Sequence, residues 1–458
     1  MISLNISNFK QEAKKFISLG LPILGTQLVM YGLTTTDYIM AGYYSSDDLA
    51  GLGLAASIFN PIYFLTAGVM FGINPIIAQL YGKKDFVQIR LKTRRFLWAA
   101  LLIGFVFFLV LRNSYLIFNF IDTEADIKNI SIEYLKIISY GAIPMTIYQA
   151  LRGYSEGITQ TRIVFLISFG IFILNIPFNY LFIFYFDYGG VGCGYATTIL
   201  VIIGLVIFWL VTLLSEKYKK TSIYGEFINP DFLSTLELFR IGGPISFGVF
   251  VELSMFSGAA LIISFFGSTA LAAHTIAINI VGLLFMLPLS LGLASAIRVG
   301  NLVGEQNYSQ ANYASNFSLR SSIFIAVINI LIIFFLGSQL ISFYTSDVSV
   351  SKIAIILLYY SLIFQIPDAI GFSAIGSLRG HKDTFGPMIN FIISYWVCAL
   401  PLGIYFAFES GDYIPNGPEG MWFGMIIGIM ISAFLNLKRL KNKKRKLKEL
   451  FKPRANQI

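Results

Sequence analysis

The chain has 458 residues, of which 56% are hydrophobic and only 12% charged, with a formal net charge of +9. A water-soluble domain carries roughly 25% charged residues, so this composition excludes an ordinary soluble fold and points to lipid as the solvent. Its two cysteines, Cys193 and Cys398, lie in apolar runs with no partner at metal-ligand spacing, which excludes a disulfide framework or a zinc site.

The N-terminus, MISLNISNFKQEAKKF, is polar and basic, and the apolar run behind it is too long for the core of a cleavable signal. Apolar runs of the length that crosses a hydrocarbon core then recur along the chain. They predict helices near 16–40, 50–80, 96–118, 132–152, 163–185 and 191–214. A second set follows near 239–264, 272–299, 320–343, 353–378, 386–408 and 420–437. The runs are continuously apolar rather than alternating, which selects helices over a β-barrel. The expected architecture is an all-α integral membrane protein with twelve transmembrane helices.

Charge orients this map. With the N-terminus in the cytoplasm, the inner segments are 1–15, 81–95, 152–162, 215–240, 298–320, 379–385 and 438–458. All but four of the 33 lysines and arginines fall there, the exceptions being Arg112, Lys128, Lys136 and Lys352. The outer connections instead carry Asp47, Asp48, Asp122, Glu124, Asp126, Asp187, Glu409, Asp412 and Glu419. This positive-inside pattern places both termini in the cytoplasm. It also reads the basic tail as a topology anchor rather than a nucleic-acid patch, so no nucleic-acid partner is expected.

The two halves repeat. Pro22-Ile23 and Pro244-Ile245 stand 222 positions apart, as do Leu49 and Leu271, and Gly82 and Gly304. After a small insertion, ALRG at 150–153 returns as SLRG at 377–380, and Pro177 has its counterpart in Pro401. The expected organisation is a six-helix lobe over 1–218, a cytoplasmic linker over 219–238, a second six-helix lobe over 239–437 and a basic cytoplasmic tail over 438–458. Two bundles related by a pseudo-two-fold axis, rocking about a central cavity, are the usual mechanical consequence.

Three acidic residues lie deep in the apolar runs: Asp37, Glu252 and Asp368. A carboxylate at membrane depth is costly and is a functional hypothesis by default. No lysine or arginine is expected at similar depth, so these groups must bind cations, carry protons or face water. Asp368 follows Pro367, which removes a backbone donor and suggests an ion site on a discontinuous helix. Asn175 and Asn179 are four apart and share one helix face, where amide oxygens near Asp37 would suit a hard cation. The bland reading of the pair is helix packing. His274 and His381 are read as structural. Gly190-Val191-Gly192-Cys193-Gly194 resembles part of a dinucleotide loop but opens a membrane helix, so it is read as close packing. No GxxxxGK[ST] phosphate loop and no nucleophile or metal-ligand cluster occurs, and the chain is not expected to be an enzyme.

On these residues the chain resembles the multidrug and toxic compound extrusion (MATE) transporters, NorM-type, from about residue 10 to 437. DYIMAG at 37–42, QALRG at 149–153, LNIPFNY at 174–180 and GGVGCGYAT at 189–197 carry the resemblance. GSTALAAH at 267–274, SAIRVGNLVGEQ at 295–306, GSLRGHKD at 376–383 and ISYWV at 393–397 complete it. The resemblance implies a V-shaped pair of bundles that exports cationic, aromatic-rich drugs or dyes by alternating access, driven by Na+ or H+ with no other cofactor. It further implies that Asp37, with Asn175 and Asn179, is the aspartate of the first lobe, and that Glu252 and Asp368 are a sodium-linked pair in the second. Phe364, one turn before Asp368, stands where some relatives carry a hydroxyl-bearing aromatic, and it removes one oxygen from that site. A monomer in the bacterial inner membrane is expected. The rival readings are a flippase for lipid-linked precursors, which would want a basic cavity, a solute importer, and a membrane-embedded enzyme.

Overall fold

The computed structural model describes residues 6–120, 124–225, 227–409 and 416–450. Asp122, Asp412 and the tail beyond Leu450 lie outside them. The described residues contain helices and no strand. In chain order the rods are α1 (Ile6–Tyr44), α2 (Ser46–Gly82), α3 (Phe86–Arg112), α4 (125–157), α5 (Thr161–Tyr185) and α6 (Val191–Leu214). The second series is α7 (Phe232–Ser264), α8 (Ser268–Gly304), α9 (Tyr308–Ser342), α10 (Val348–Gly380), α11 (Phe385–Phe408) and α12 (Gly417–Leu450). Each of the twelve predicted helices corresponds to one rod, and most rods run several residues past the apolar limits.

Among the described residues, eleven of these rods are long and apolar enough to cross a membrane. The exception is α4, which carries Asp126, Lys128, Glu133, Lys136, Arg152 and Glu156. Its second half, Ala142–Gly157, nevertheless buries most of its residues, including Thr146, Gln149, Arg152 and Glu156. Protein rather than lipid receives these polar groups: the Thr146 hydroxyl donates to the Ala100 carbonyl of α3 at 2.9 Å. A helix enclosed by its neighbours need not be apolar all round.

The chain folds into two compact units, one comprising Leu21–Phe247 and the other Met1–Gly20 with Gly248–Ile458. Both boundaries differ from those expected from the sequence, and they fall inside helices α1 and α7 rather than in the polar linker. Side-chain anchoring accounts for this. The start of α1 belongs to the second unit, where Glu12 receives two hydrogen bonds from Arg298, 2.7 and 3.1 Å, and Phe9 and Phe16 pack on Phe317. The start of α7 belongs to the first unit, where Asp231 pairs with Arg95 at 3.1 Å and Glu237 pairs with Lys92. Polar linker composition marks where water is, not where one packed core ends.

The repeat extends to the turns. Lys84 and Gln306, 222 positions apart, both adopt positive φ, 58° and 59°. The next residues, Asp85 and Asn307, each cap the following helix by accepting from the backbone N–H three residues on, at Gln88 and Gln310. Such caps satisfy donors that a helix start leaves orphaned.

Helices in lipid associate by close packing of small residues. In the first unit, α2 tightens into a 3-10 stretch over Ala67–Gly72 where α7 crosses it. A Cβ at Gly242 would sit inside the van der Waals envelope of the Val69 carbonyl, and one at Gly72 would lie 2.6 Å from the Gly242 nitrogen. In the second unit the backbones of Gly292 on α8 and Gly376 on α10 meet in the same way. Pro367 does not interrupt α10, which runs unbroken from Val348 to Gly380; the expected discontinuous helix is not present. Losing one ladder donor is tolerated where neighbouring helices hold the rod.

These crossings predict that Gly242→Val destabilises the detergent-purified protein by about 1–3 kcal/mol or more through overpacking, and so lowers its melting temperature. Gly243→Ala, whose Cβ meets nothing within 4 Å, should leave the melt unchanged. Fluorescence-detected size-exclusion after a heat series measures both.

Candidate functional site

In the first unit, Asp37 sits on α1 at the wall of a cavity of about 270 Å³. This is near the lower end of the roughly 300–1,000 Å³ typical of small-molecule sites. Helical spacing brings Asn175 and Asn179 of α5 onto one face, and both donate to Asp37 Oδ1, at 3.0 and 2.5 Å. Asn179 Nδ2 also donates to Asn175 Oδ1 at 3.2 Å, and the Thr197 hydroxyl of α6 is a further donor to the carboxylate. The Cys193 thiol points to the Asp37 carbonyl at 3.6 Å. Directly after Asn179, α5 widens into a π-helical turn over Leu181–Tyr185, a distortion that often accompanies functional sites.

The amide pair therefore turns nitrogen, not oxygen, toward Asp37, unlike the oxygen pair suggested by the sequence. Asn179 Oδ1 is buried without a partner. All of the donors to Asp37 are neutral. They stabilise the anion without cancelling its charge, so a cation or a proton from outside the protein must do so.

The rest of the cavity is apolar and aromatic, with Tyr38, Phe59, Tyr63, Phe64, Tyr134 and Tyr148 in its wall, and no lysine or arginine among its lining residues. Phe59 and Tyr63 stack with ring centroids 5.8 Å apart and planes 18° apart. Aromatic faces attract organic cations. Gln149 lies in the same wall and donates to the Tyr63 hydroxyl, while its Oε1 is buried with no partner. A buried carbonyl oxygen without a donor is an unanswered acceptor. Gln149 is not singled out by the sequence pattern, although its place inside QALRG is the available signal.

Behind this wall, Arg152 Nε donates to Glu156 Oε1 at 2.8 Å and Arg152 Nη2 to Gln27 Oε1 at 2.8 Å, while Asn74 Nδ2 donates to Glu156 Oε2 at 3.0 Å. From sequence, Arg152 falls in a cytoplasmic connection and Glu156 goes unnoticed, because an acid and a base four apart in RGYSEG look like a solvated helix end. They form instead a buried ion pair with neutral helpers.

In the second unit, Glu252 on α7 and Asp368 on α10 are close enough to interact electrostatically. Neither makes an ion pair or hydrogen bond with another described residue. Arg379, which the sequence reading placed in a connection, is in the last turn of α10 and acts electrostatically on Glu252. The expectation that no basic group reaches the deep acids is thus corrected for Glu252. Tyr395, buried in a π-helical stretch over Ile392–Ala399, also interacts with both carboxylates. It stacks on Phe391 at 5.1 Å. Tyr395 supplies a hydroxyl-bearing aromatic near the pair, a residue not singled out from the sequence. Phe364 is buried and packs on Trp422, whose indole N–H donates to His274 Nδ1 at 3.0 Å. Among the described residues no group of three or more His, Cys, Asp or Glu could hold a metal ion.

Comparison with known proteins adds to this geometry. The MatE family model matches residues 22–181 and 244–405, two blocks whose starts stand 222 positions apart, as in the internal repeat. A probable multidrug resistance protein NorM from Acinetobacter baylyi is 33% identical over 446 residues, 96% of this chain and 98% of the relative. The multidrug resistance protein NorM of Vibrio cholerae is 33% identical over 439 residues, 94% of this chain and 96% of the relative. A solved outward-facing structure of a multidrug resistance MATE family transporter superposes with a TM-score of 0.88 at 20% identity, covering 96% of this chain and 97% of that one.

The buried pair yields a prediction. Arg152→Met alone strands the Glu156 carboxylate and should destabilise by about 3–5 kcal/mol, whereas Arg152→Met with Glu156→Leu should recover most of the loss. Detergent melts of the two single variants and the double variant form the cycle that tests it.

Proposed function

The chain belongs to the MatE family, NorM-type, and on that premise we propose that it is a secondary multidrug exporter, trading small cationic, aromatic-rich molecules for Na+ or H+ by alternating access in a bacterial inner membrane, with both termini in the cytoplasm. The observation that carries this reading is Asp37: a carboxylate held only by neutral donors, at the wall of an aromatic cavity with no basic lining. That chemistry suits an organic cation through charge at one end and ring faces along the other walls. A flippase for pyrophosphate-linked lipids would need the opposite polarity.

Exchange follows when drug and coupling ion compete for the same negative charge. A proton or Na+ arriving from outside at Asp37 cancels the field that holds the drug, so the two ligands favour different states, and differential affinity alone supplies the coupling. Inward passage of the coupling cation is driven by its gradient and by about 2.3 kcal/mol per charge moved through 100 mV. Glu252 and Asp368 form a second cation station in this scheme, with Arg379 limiting the net charge that Glu252 offers. Sodium at such a station would take oxygens from the two carboxylates, in keeping with its preference for hard ligands.

Proteoliposomes with imposed sodium or pH gradients, loaded with an ethidium-type dye, test the proposal. Asp37→Asn should abolish dye movement, with a loss of at least about 100-fold, while a melt shows the variant still folded. Glu252→Gln and Asp368→Asn should uncouple movement from the sodium gradient. Transport at the wild-type rate in all three variants would sink the reading. Dye moving down an imposed gradient into the cytoplasmic side, with no counter-ion flux, would identify an importer instead.

A further inference from the structure

A second cavity in the first unit, of about 370 Å³, is lined by Arg112, Asn113, Ser114, Tyr115, Ile132 and Lys136. Its charge runs against the topology of the molecule. Arg112 ends α3, a helix of 27 residues and therefore about 40 Å long. The basic band around Lys83, Lys84 and Arg90 marks the other end. Arg112 and Lys136 are two of only four basic residues outside the inner segments, and they line one pocket.

Arg112 is also electrically unfinished. Among the described residues it has no carboxylate partner, and no carboxylate lines the pocket. Its Nη1 is buried with no hydrogen-bond acceptor, and its guanidinium carbon lies 5.6 Å from the Tyr140 ring centroid. A ring face attracts the charge but leaves the N–H unanswered. Nothing in the fold demands an arginine here, since the repeat carries the exposed Phe334 222 positions on. Below the pocket, Phe105, Leu109 and Val110 of α3 are exposed, and Tyr115 and Tyr140 at its rim are exposed aromatics. Apolar flank, aromatic rim and cationic pocket in that order are the layers of a bilayer surface.

We propose that this pocket binds a phosphate oxyanion, and that its source is the headgroup of an anionic phospholipid in the leaflet away from the cytoplasm. The guanidinium presents a fork matched to two phosphate oxygens. Lys136 adds a second, exposed charge from α4, and the acyl chains follow the exposed face of α3. The site stands apart from the transport cavity, and its existence does not depend on the transport reading.

The test is native mass spectrometry of delipidated, detergent-purified protein titrated with phosphatidylglycerol or phosphatidylcholine, in parallel with melts in inorganic phosphate. Phosphatidylglycerol should bind and raise the melting temperature. Arg112→Gln and Lys136→Gln should each weaken that binding about tenfold, the scale of one charge-assisted hydrogen bond. Lys443→Gln, far along α12 in the basic tail, should not. Lys136 is exposed, so its variant keeps the test open should Arg112→Gln fold poorly. Competition by millimolar inorganic phosphate, lost in both variants, would also support the oxyanion site and would assign it a soluble source as well. Phosphatidylglycerol binding equal to that of phosphatidylcholine, or unchanged in both variants, would overturn the proposal.

Discussion

Hydrocarbon offers no hydrogen bonds, and an ionised carboxylate inside it must be answered by protein, by water or by a travelling cation. The acids of this chain divide along that line. Glu12 and Glu156 are nearly sealed from solvent, and each is clasped by an arginine, Arg298 and Arg152. Asp48, also buried, receives the Gly190 N–H at 2.6 Å and the Ser45 hydroxyl. Asp37, Glu252 and Asp368 remain partly accessible and lack any clasping base. The acids clasped by an arginine are sealed from solvent, whereas the three without one are those that a cation or proton can still reach.

The helices were legible because lipid imposes a simple length rule. Where protein surrounds a helix, that rule loses force, and α4 is the instance: Thr146, Gln149, Arg152 and Glu156 are polar residues with polar partners inside the unit. The repeat was legible in Pro22 and Pro244, and its persistence in the caps at Asp85 and Asn307 follows from the same local chemistry at the same turn. Unit boundaries were not legible. Composition reports exposure, whereas the division at Gly20 and Phe247 is set by which side chains grip the starts of α1 and α7.

For the site, the i, i+4 spacing of Asn175 and Asn179 was enough to foresee a shared face, and the structure brings both amides to Asp37. Amide orientation was not foreseeable, because an asparagine donates or accepts according to its neighbour, and a carboxylate neighbour calls for N–H. Tyr395 escaped notice since its approach to Glu252 and Asp368 depends on a π-helical stretch that shifts register along α11. Arg379 escaped because its helix continues two residues beyond the apolar run. Each omission is a case where backbone geometry, not residue type, decides who meets whom.

The exchange of opening segments bears on how such a molecule is assembled. Residues 1–20 are grouped with Gly248–Ile458, and residues 232–247 with Leu21 onward. Neither half of the polypeptide, cut at the polar linker, spells out a whole unit. A ribosome that has finished the first six rods has therefore not finished the first core, which waits for Glu237 and Gly242 to emerge. Folding of the early half is tied to synthesis of the late one.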